Sequence, residues 1–355
     1  MKQIVLAALA AVAIEGRGIF AAQPPEPMPY TVPFEKQVRV ILSMDTANEV
    51  DDALAIIHAL LTPQFDVKGI VAAHFRTKLP DPLGLSVAET ERLLEKGGFE
   101  IMRGRGIPAA QNESATRMSR PHTRPHIPLL RGAAEPMLDD ATPRDSEGAR
   151  FIIAEALKDD HRPLFVCCGG PLTDVASAIL IEPSITNRLT VTWSGGGAYP
   201  NGGGEYNWSS DPQSVNTVFS SFAPVWQFPN NVYSQMRVTT ARLALNMRPR
   251  GAVGRHMFDA MMAFNEKMKK TRGWPRGEDW TDGDAPFIGA LLDQGQSTNF
   301  YEMRPAPRVD PTSGRYSLAP NRPIRIYTKI DGETIIEDFF AKLALAYPKK
   351  GNENE

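Results

Sequence analysis

Apolar residues along the chain follow two alternating spacings, one typical of buried strands and the other of amphipathic helices. Residues 38–44 form a continuous β-rich apolar run, and residues 51–61 carry apolar side chains at helical spacing until Pro63. The same pattern predicts further strands at 66–73, 163–168 and 189–193. It predicts further helices at 86–96, 146–157, 173–180, 212–222, 253–270, 285–292 and 333–345. This alternation predicts an α/β fold: an open, mostly parallel sheet with helices on both faces.

The first residues have a different pattern. Lys2 precedes an uncharged apolar run from Ile4 to Ile14, which is too short to span a bilayer as a helix and suits the core of a signal peptide. We therefore predict a signal peptide over residues 1–22 and a secreted or periplasmic protein. A Pro-rich linker at 23–34, a single α/β domain at 35–348 and a polar tail at 349–355 complete the predicted organisation.

Composition and charge narrow the class of partner. The 355 residues are 42% hydrophobic and 23% charged, and the formal net charge is −2 at pH 7, as in ordinary soluble globular proteins. Because the chain is close to neutral, it has no electrostatic reason to bind a nucleic-acid polymer. A small-molecule substrate is expected instead.

A dense group of acidic residues lies where the first predicted strand passes into the first predicted helix. Asp45, Glu49, Asp51 and Asp52 fall within eight positions. One of them would satisfy a helix cap, but four crowded carboxylates repel one another unless a cation lies among them. Oxygen ligands of this kind suit calcium or magnesium rather than zinc.

Other predicted strand ends carry related chemistry. Gly169 follows one strand and exposes its main-chain carbonyl, and the glycines at 195–197 follow another. Residues 205–207 then offer an acid, a phenol and an amide, and Asp284 directly precedes a predicted helix. Ligands of open α/β sheets bind beyond the carboxyl ends of the strands, so these residues are expected to meet at one site.

These segments resemble the nucleoside hydrolase superfamily over most of residues 37–347. The resemblance is carried by Asp45-x5-Asp51-Asp52, Gly170-Pro-Leu-Thr173-Asp174, Ser194-Gly195-Gly196-Gly197, Glu205-Tyr206-Asn207-x3-Asp211-Pro212 and Asp284. The form Asn48-Glu49-x-Asp51-Asp52 is similar to an outlying secreted branch of inosine-uridine-preferring nucleoside hydrolase-like proteins, whose aspartate loop is two residues longer. The resemblance implies a Rossmann-like fold and a homo-oligomer, either a dimer or a tetramer.

The family hydrolyses the bond between a nucleobase and ribose, so the resemblance implies a calcium-dependent N-glycosyl hydrolase. Asp45 would ligate Ca²⁺ and act as general base on a metal-bound water. Asp52, Asp284 and the main-chain carbonyl of Gly169 would complete the metal site.

The same resemblance implies how the sugar is held. Asp51 and Asn207 would bind ribose hydroxyls, and Glu205 would reach the far hydroxyl of the sugar. Groups that hold the ribose diol also hold the anomeric carbon near the attacking water.

Two positions depart from the family pattern. Ser43 stands where the family has its first aspartate, two residues before the base. Gly283 stands where a histidine often helps the nucleobase to leave, so the usual acid is missing.

Other residues are candidates for that missing function. His74, at the end of the second predicted strand, is a candidate acid, as are His122 and His126 in or near a long polar loop, although each also suits a packing or surface role. Trp274 and Trp280 are candidate platforms for the nucleobase, although tryptophans at such positions often only pack.

Three functions therefore stay open at this point. The first is hydrolysis of a ribonucleoside or a related N-riboside, and the second is hydrolysis of another glycoside on the same fold. The third is a non-catalytic, calcium-bearing sugar-binding protein. Asp45 beside Asp51 and Asp52 favours catalysis, because binding alone needs no base. Gly283 favours a binding protein instead, because the usual acid is missing at that position.

Overall fold

The first apolar run forms the strand on which the sheet is centred. The computed structural model describes residues 22–103, 126–271, 274–275, 277–292 and 299–349. The strand Val38–Met44 is buried along its whole length. Strands pair with both of its edges and apolar clusters pack on both of its faces, which explains why its sequence is almost continuously apolar.

The elements of the described residues alternate as the sequence predicts. The strands are β1 (Val38–Met44), β2 (Phe65–Ala72), β3 (Glu100–Arg103), β4 (His126–Arg131), β5 (Leu164–Cys168), β6 (Thr190–Ser194), β7 (Val225–Phe228), β8 (Arg237–Thr239), β9 (Asp279–Thr281), β10 (Tyr301–Pro305), β11 (Arg308–Val309), β12 (Tyr316–Ser317) and β13 (Pro323–Tyr327). The α-helices are α1 (Asp51–Leu60), α2 (Pro82–Lys96), α3 (Glu147–Ala156), α4 (Thr173–Ile181), α5 (Tyr206–Ser210), α6 (Pro212–Ser220), α7 (Asn230–Tyr233), α8 (Thr240–Asn246), α9 (Gly251–Lys267), α10 (Pro286–Leu292) and α11 (Gly332–Ala346).

Within the described part of the chain, nine strands form one sheet in the order β10-β13-β7-β6-β5-β1-β2-β4-β3. Only β10 runs antiparallel to its neighbour, and the other pairs are parallel. The predicted fold class is therefore confirmed. The chain leaves β1 for β2 on one side and later returns to β5 on the other side, so a crevice opens beyond the end of β1, where such folds bind ligands.

Two apolar clusters cover the two faces of the sheet. Val40, Leu42 and Met44 point into the cluster that also receives α1, α2, α9, α10 and α11. Ile41, between them in sequence, points into the other cluster, with α3, α4 and α6. This alternation is the period of a strand, and it leaves the carboxyl end of β1 as the place where polar residues follow.

Most predicted helices are found within a few residues of their expected ends. The second begins at Pro82, four residues earlier than predicted, because Asp81 accepts a hydrogen bond from the Gly84 amide at the helix start. Several strands on the outer parts of the sheet were not predicted; β4, β10 and β13 each contain a proline, which weakens the strand pattern.

None of the described helices is long and apolar enough to cross a membrane. Residues 1–21 and 350–355, which hold most of the predicted signal peptide and polar tail, lie outside the described residues. His122 and most of the long polar loop around it also lie outside them.

Candidate active site

The carboxyl ends of β1, β2 and β5 are aligned by main-chain hydrogen bonds just before the candidate residues. The Gly169 amide donates to the Ser43 carbonyl at 3.0 Å, and the Ala73 amide donates to the Met44 carbonyl at 2.8 Å. Asp45 is the first residue after β1 and Gly169 the first after β5, so parallel pairing brings them side by side.

A cavity of about 60 Å³ opens at this point, with room for an ion and a few waters. It is lined by Asp45, Asn48, Glu49, Asp51, Asp52, Gly169, Glu205, Tyr206, Asn207, Tyr233, Gly283 and Asp284. Eight of the ten site residues predicted from the sequence have a described place at or next to this cavity: seven line it, and Trp274 contacts Glu49 in its wall. The structure thus brings together segments far apart in the chain.

Asp45 and Asp52 form the buried floor of the cavity. Each is 1% exposed, and their side chains share a hydrogen bond. Burial raises the pKa of both carboxyls well above the ordinary range, and the neighbouring negative charges add to the effect. Asp45 Oδ2 and Asp52 Oδ1 are buried without a hydrogen-bond partner among the described residues.

Asp51 and Asp284 approach from two helix starts. Asp51 begins α1, where the helix dipole favours a carboxylate, and its Oδ2 accepts a hydrogen bond from the Gly283 amide at 3.1 Å. Ligand oxygens of Asp51, Asp52 and Asp284 all lie within 4.8 Å of one another. Burial raises the pKa of Asp51 to about 6, and burial with the Asp51 charge raises that of Asp284 well above its usual value.

This donor set fits a hard cation. The donors are carboxylate oxygens and the main-chain carbonyl oxygen of Gly169. The described lining residues offer no sulfur and no imidazole. Two buried carboxylate oxygens lack a partner, which is costly unless something positive contacts them.

Gly169 is where the backbone must approach the carboxylates closely. A Cβ at position 169 would lie 2.8 Å from Cγ of Asp284, and one at Gly170 would lie 3.2 Å from Cγ of Asp45. A side chain at position 169 would therefore displace Asp284 from the cavity.

Asn207 is fixed in one orientation. Its Nδ2 donates to the carbonyls of Gly169 at 2.7 Å and Ser194 at 2.8 Å, which uses both amide hydrogens. The Oδ1 atom is left to accept a hydrogen bond from a ligand.

Glu205 is held by four donors. Its carboxylate caps α5 by accepting from the amides of Asn207 and Trp208, and it also accepts from the Gly196 amide and the Tyr233 hydroxyl. These four bonds occupy the lone pairs of the carboxylate. A substrate hydroxyl would have to replace one of them, and the Tyr233 hydroxyl at 3.0 Å is the one on a side chain.

Glu49 is half-buried in the cavity wall. Its Oε2 accepts a hydrogen bond from Trp274 Nε1 at 2.9 Å, and burial with the Asp51 charge raises its pKa to about 8. Trp274 itself contacts the edge of Trp280, at 5.1 Å between ring centroids.

Two predicted site residues lie away from the lining. Trp280 is 1% exposed and packs in the core against Trp274 and Phe264. His74 is 2% exposed, bonds through Nε2 to Thr173 Oγ1 at 2.9 Å, and has its pKa lowered to about 4 by burial. His126 lies at the start of β4, paired with Glu100.

Besides Tyr206, whose phenol was noted in the sequence without a function, three lining residues received no role from the sequence. Tyr233 belongs to the short helix α7 after β7, and β7 itself was not predicted, so no strand end pointed to it. Asn48 and Glu49 lie in the longer aspartate loop, where the resemblance assigns no functions. The sequence signal that could have pointed to them is the length of this loop, which is two residues greater than in the usual family pattern.

Comparisons with known proteins agree with this geometry. The sequence profile of the family described as "Inosine-uridine preferring nucleoside hydrolase" matches residues 40–337. An uncharacterised protein of Schizosaccharomyces pombe is 23% identical over 57% of this chain and 64% of its own length, a little under two thirds. A pyrimidine-specific ribonucleoside hydrolase of Shigella sonnei is 26% identical over 64% of this chain and 71% of its own.

A solved structure shows the same fold. The purine-preferring ribonucleoside hydrolase from Gardnerella vaginalis superposes with a TM-score of 0.63 at 20% identity, over 87% of this chain and 99% of its own. The profile covers most of the chain, and the strand-end cavity and all of the central sheet except the first two residues of β1 lie within the matched range. The chain therefore belongs to the inosine-uridine preferring nucleoside hydrolase family, a family of N-glycosyl hydrolases.

Proposed function

We propose that the protein hydrolyses the N-glycosidic bond of a ribonucleoside or related N-riboside, with calcium bound and with Asp45 as general base. The observation that carries the proposal is the convergence of Asp45, Asp52 and Asp284 on one cavity, with buried carboxylate oxygens that have no partner among the described residues. A carboxylate without a partner beside a cavity for water is placed to accept a proton.

Calcium would be held by Asp45, Asp52, Asp284 and the Gly169 carbonyl, with Asp51 near enough to join them. When bound, a divalent cation lowers the pKa of a water and of the carboxylates around it. The Gly169 carbonyl already accepts from Asn207, and a carbonyl oxygen retains a second lone pair.

The remaining groups position the sugar. Asp51 Oδ2 is oriented by the Gly283 amide, and Asn207 Oδ1 is free to accept, so the two offer acceptors to neighbouring ribose hydroxyls. Glu205 would bind the far hydroxyl by exchanging the Tyr233 hydroxyl for it. The anomeric carbon is then held beside Asp45 and its water.

The leaving group is the incomplete part of the site. Gly283 supplies only its amide, which already donates to Asp51. His74 as the acid stays a prediction; its bond to Thr173 and its lowered pKa suit a positioning role better, because an imidazole with a pKa near 4 is neutral at pH 7. The secreted or periplasmic location and the dimer or tetramer also stay predictions.

Release of ribose from a panel of substrates tests the function. Inosine, uridine and nitrophenyl riboside are incubated with chelated protein and with calcium-supplemented protein. We expect ribose from at least one of the three, with calcium required. Calcium-loaded, folded protein that releases no ribose from any N- or O-riboside would contradict the proposal.

A further inference from the structure

Trp193 is a buried tryptophan whose indole N–H bonds to the turn beside the candidate active site. The residue lies in β6, is 0% exposed and packs against Phe219 of α6, at 6.0 Å between ring centroids. Its Nε1 donates a hydrogen bond to the Gly170 carbonyl at 3.1 Å. The apolar cluster explains why the ring is buried, but a buried indole also needs an acceptor, and here the acceptor belongs to the turn that carries Gly169.

The turn at Gly169 and Gly170 is held by hydrogen bonds from three separate segments. The Gly169 amide donates to the Ser43 carbonyl of β1 at 3.0 Å, and the Gly169 carbonyl accepts from Asn207 Nδ2 at 2.7 Å. The bond from Trp193 is the third, and it holds the next carbonyl along the chain. Each of the two carbonyls of the turn is therefore oriented by a side chain from another part of the chain.

Gly170 packs directly against the proposed general base. A Cβ at position 170 would lie 3.2 Å from Cγ of Asp45 and 3.3 Å from its amide nitrogen. A Cβ at position 169 would lie 2.8 Å from Cγ of Asp284. Because the space is packed this closely, a shift of the Gly170 carbonyl would move the turn relative to both carboxylates. The place of the Gly169 carbonyl among the carboxylates therefore depends on what holds Gly170.

Gly195 leaves free the space that the indole occupies. A Cβ at position 195 would lie 2.2 Å from Cε2 and 2.6 Å from Nε1 of Trp193. Both distances are too short for non-bonded atoms, so a side chain at position 195 would force the indole away from Gly170. The first glycine after β6 is therefore required for the hydrogen bond from Trp193 to Gly170.

We propose that Trp193 is a positioning residue of the calcium site: through its bond to the Gly170 carbonyl, it holds the Gly169 carbonyl in place for the ion. The proposal rests on the proposed function, because it needs that calcium site. It gives Trp193 no contact with the ion or the substrate. A ligand that is already held in place loses less freedom when the ion binds, so a fixed turn favours tighter binding.

Trp193→Phe keeps an aromatic ring and removes the N–H donor. We expect the dissociation constant for calcium, measured by calorimetric titration of chelated protein, to rise by about tenfold, as for other residues that orient metal ligands. Trp226→Phe is the matched control and should keep the wild-type affinity. Trp226 lies in the neighbouring strand β7, is half-buried and packs on the apolar cluster of the opposite face of the sheet.

Loss of a buried hydrogen bond also lowers stability, and calcium affinity separates the two effects. A purely structural defect would lower the Tm of chelated and of calcium-loaded protein equally and would leave the dissociation constant unchanged. A positioning role predicts instead that a fixed calcium concentration raises the Tm of Trp193→Phe by less than that of wild type. Excess calcium should then restore kcat/KM for the best riboside to within about threefold of wild type.

A second variant retains the shape of the ring. At position 193, 3-benzothienylalanine carries sulfur in place of the N–H, so it fills the same space without a donor, and it should weaken calcium binding as Trp193→Phe does. A folded variant of either kind with a dissociation constant within about twofold of wild type would overturn the inference and leave Trp193 a packing residue. Wild-type binding with unaltered variants rejects this inference alone, whereas folded wild-type protein that binds no calcium rejects the metal site of the proposed function as well.

Discussion

Asp45, like Asp52 beside it, is buried to 1% exposure and has an oxygen without a hydrogen-bond partner among the described residues. Its position could be predicted from the sequence because it directly follows a strand whose apolar pattern is uninterrupted. The same holds for Asp51, Asp52 and Asp284, each beside a helix start. The bonds that decide what these residues can do, such as that from the Gly283 amide to Asp51, depend on chain packing and carry no sequence signal.

Asp45→Asn tests the base. The amide can still offer an oxygen to a cation but cannot accept a proton from water, so turnover should fall by about a thousandfold while the fold is retained. Turnover of the best riboside and a melting curve are the measurements. Asp310→Asn, on an exposed turn, is the control. Turnover within about tenfold of wild type would show that Asp45 is not the base.

At the scale of elements, the start of α4 joins three separate segments. Asp174 Oδ1 accepts from the Ala133 amide after β4 and from the Ser146 hydroxyl that caps α3. Gly132 and Gly148 both lie against the Asp174 carboxylate. A Cβ at position 132 would lie 2.4 Å from one of its oxygens, and a Cβ at position 148 would lie 3.1 Å from the other. The motif around Asp174 thus supports the strand ends rather than lining the cavity.

Asp174→Asn should change how stability depends on pH. Burial raises the pKa of Asp174 to about 6, so the folded state holds this proton more tightly than the unfolded state, whose ordinary value is near 4. The stability from this group is therefore present below about pH 4 and is lost as the pH rises through about 6. The asparagine does not titrate, so its unfolding free energy relative to wild type should rise by up to roughly 3 kcal/mol between pH 4 and pH 7. Denaturant unfolding at several pH values measures this. A constant difference across that range would contradict the expectation.

Elements were predictable where the pattern is long and were missed where it is short. Helices such as α9 and α11 span several turns with apolar residues at one spacing, which defines them from sequence alone. Strand β7 has four residues, and its pairing with β6 depends on contacts far away in the chain. Tyr233, which follows β7, could not be assigned for that reason.

At the scale of the whole molecule, the predicted family, fold class and enzyme class are confirmed. They could be predicted because motifs at several strand ends indicate them together. No single motif would have sufficed. The role of Trp280 was harder to foresee, since a tryptophan near a loop of glycine and charged residues suits both a platform and a core position. The structure places it in the core, against Phe264.

Calcium should stabilise the whole fold. Without a cation, the carboxylates of the cavity repel one another, and a ligand at about a hundred times its dissociation constant adds about 2.7 kcal/mol to the unfolding free energy. For a chain of 355 residues, that corresponds to a rise in Tm of about 4 °C on adding calcium to chelated protein. Calorimetric titration should show one ion per chain, and Asp284→Asn should weaken both effects. No binding and no shift at millimolar calcium, with the fold intact, would rule out the metal site.

Asp284 is far from Asp45 and Asp52 along the chain, and this separation affects when the site can form during protein synthesis. A ribosome delivers the first two carboxylates early, together with the strand that presents them, and the third only after seven strands of the central sheet have been made. Until then the nascent chain carries a partial set of ligands whose repulsion opposes early closure around β1. Completion of the site is therefore coupled to completion of the chain, and truncated products should neither retain the ion nor cleave a glycosidic bond.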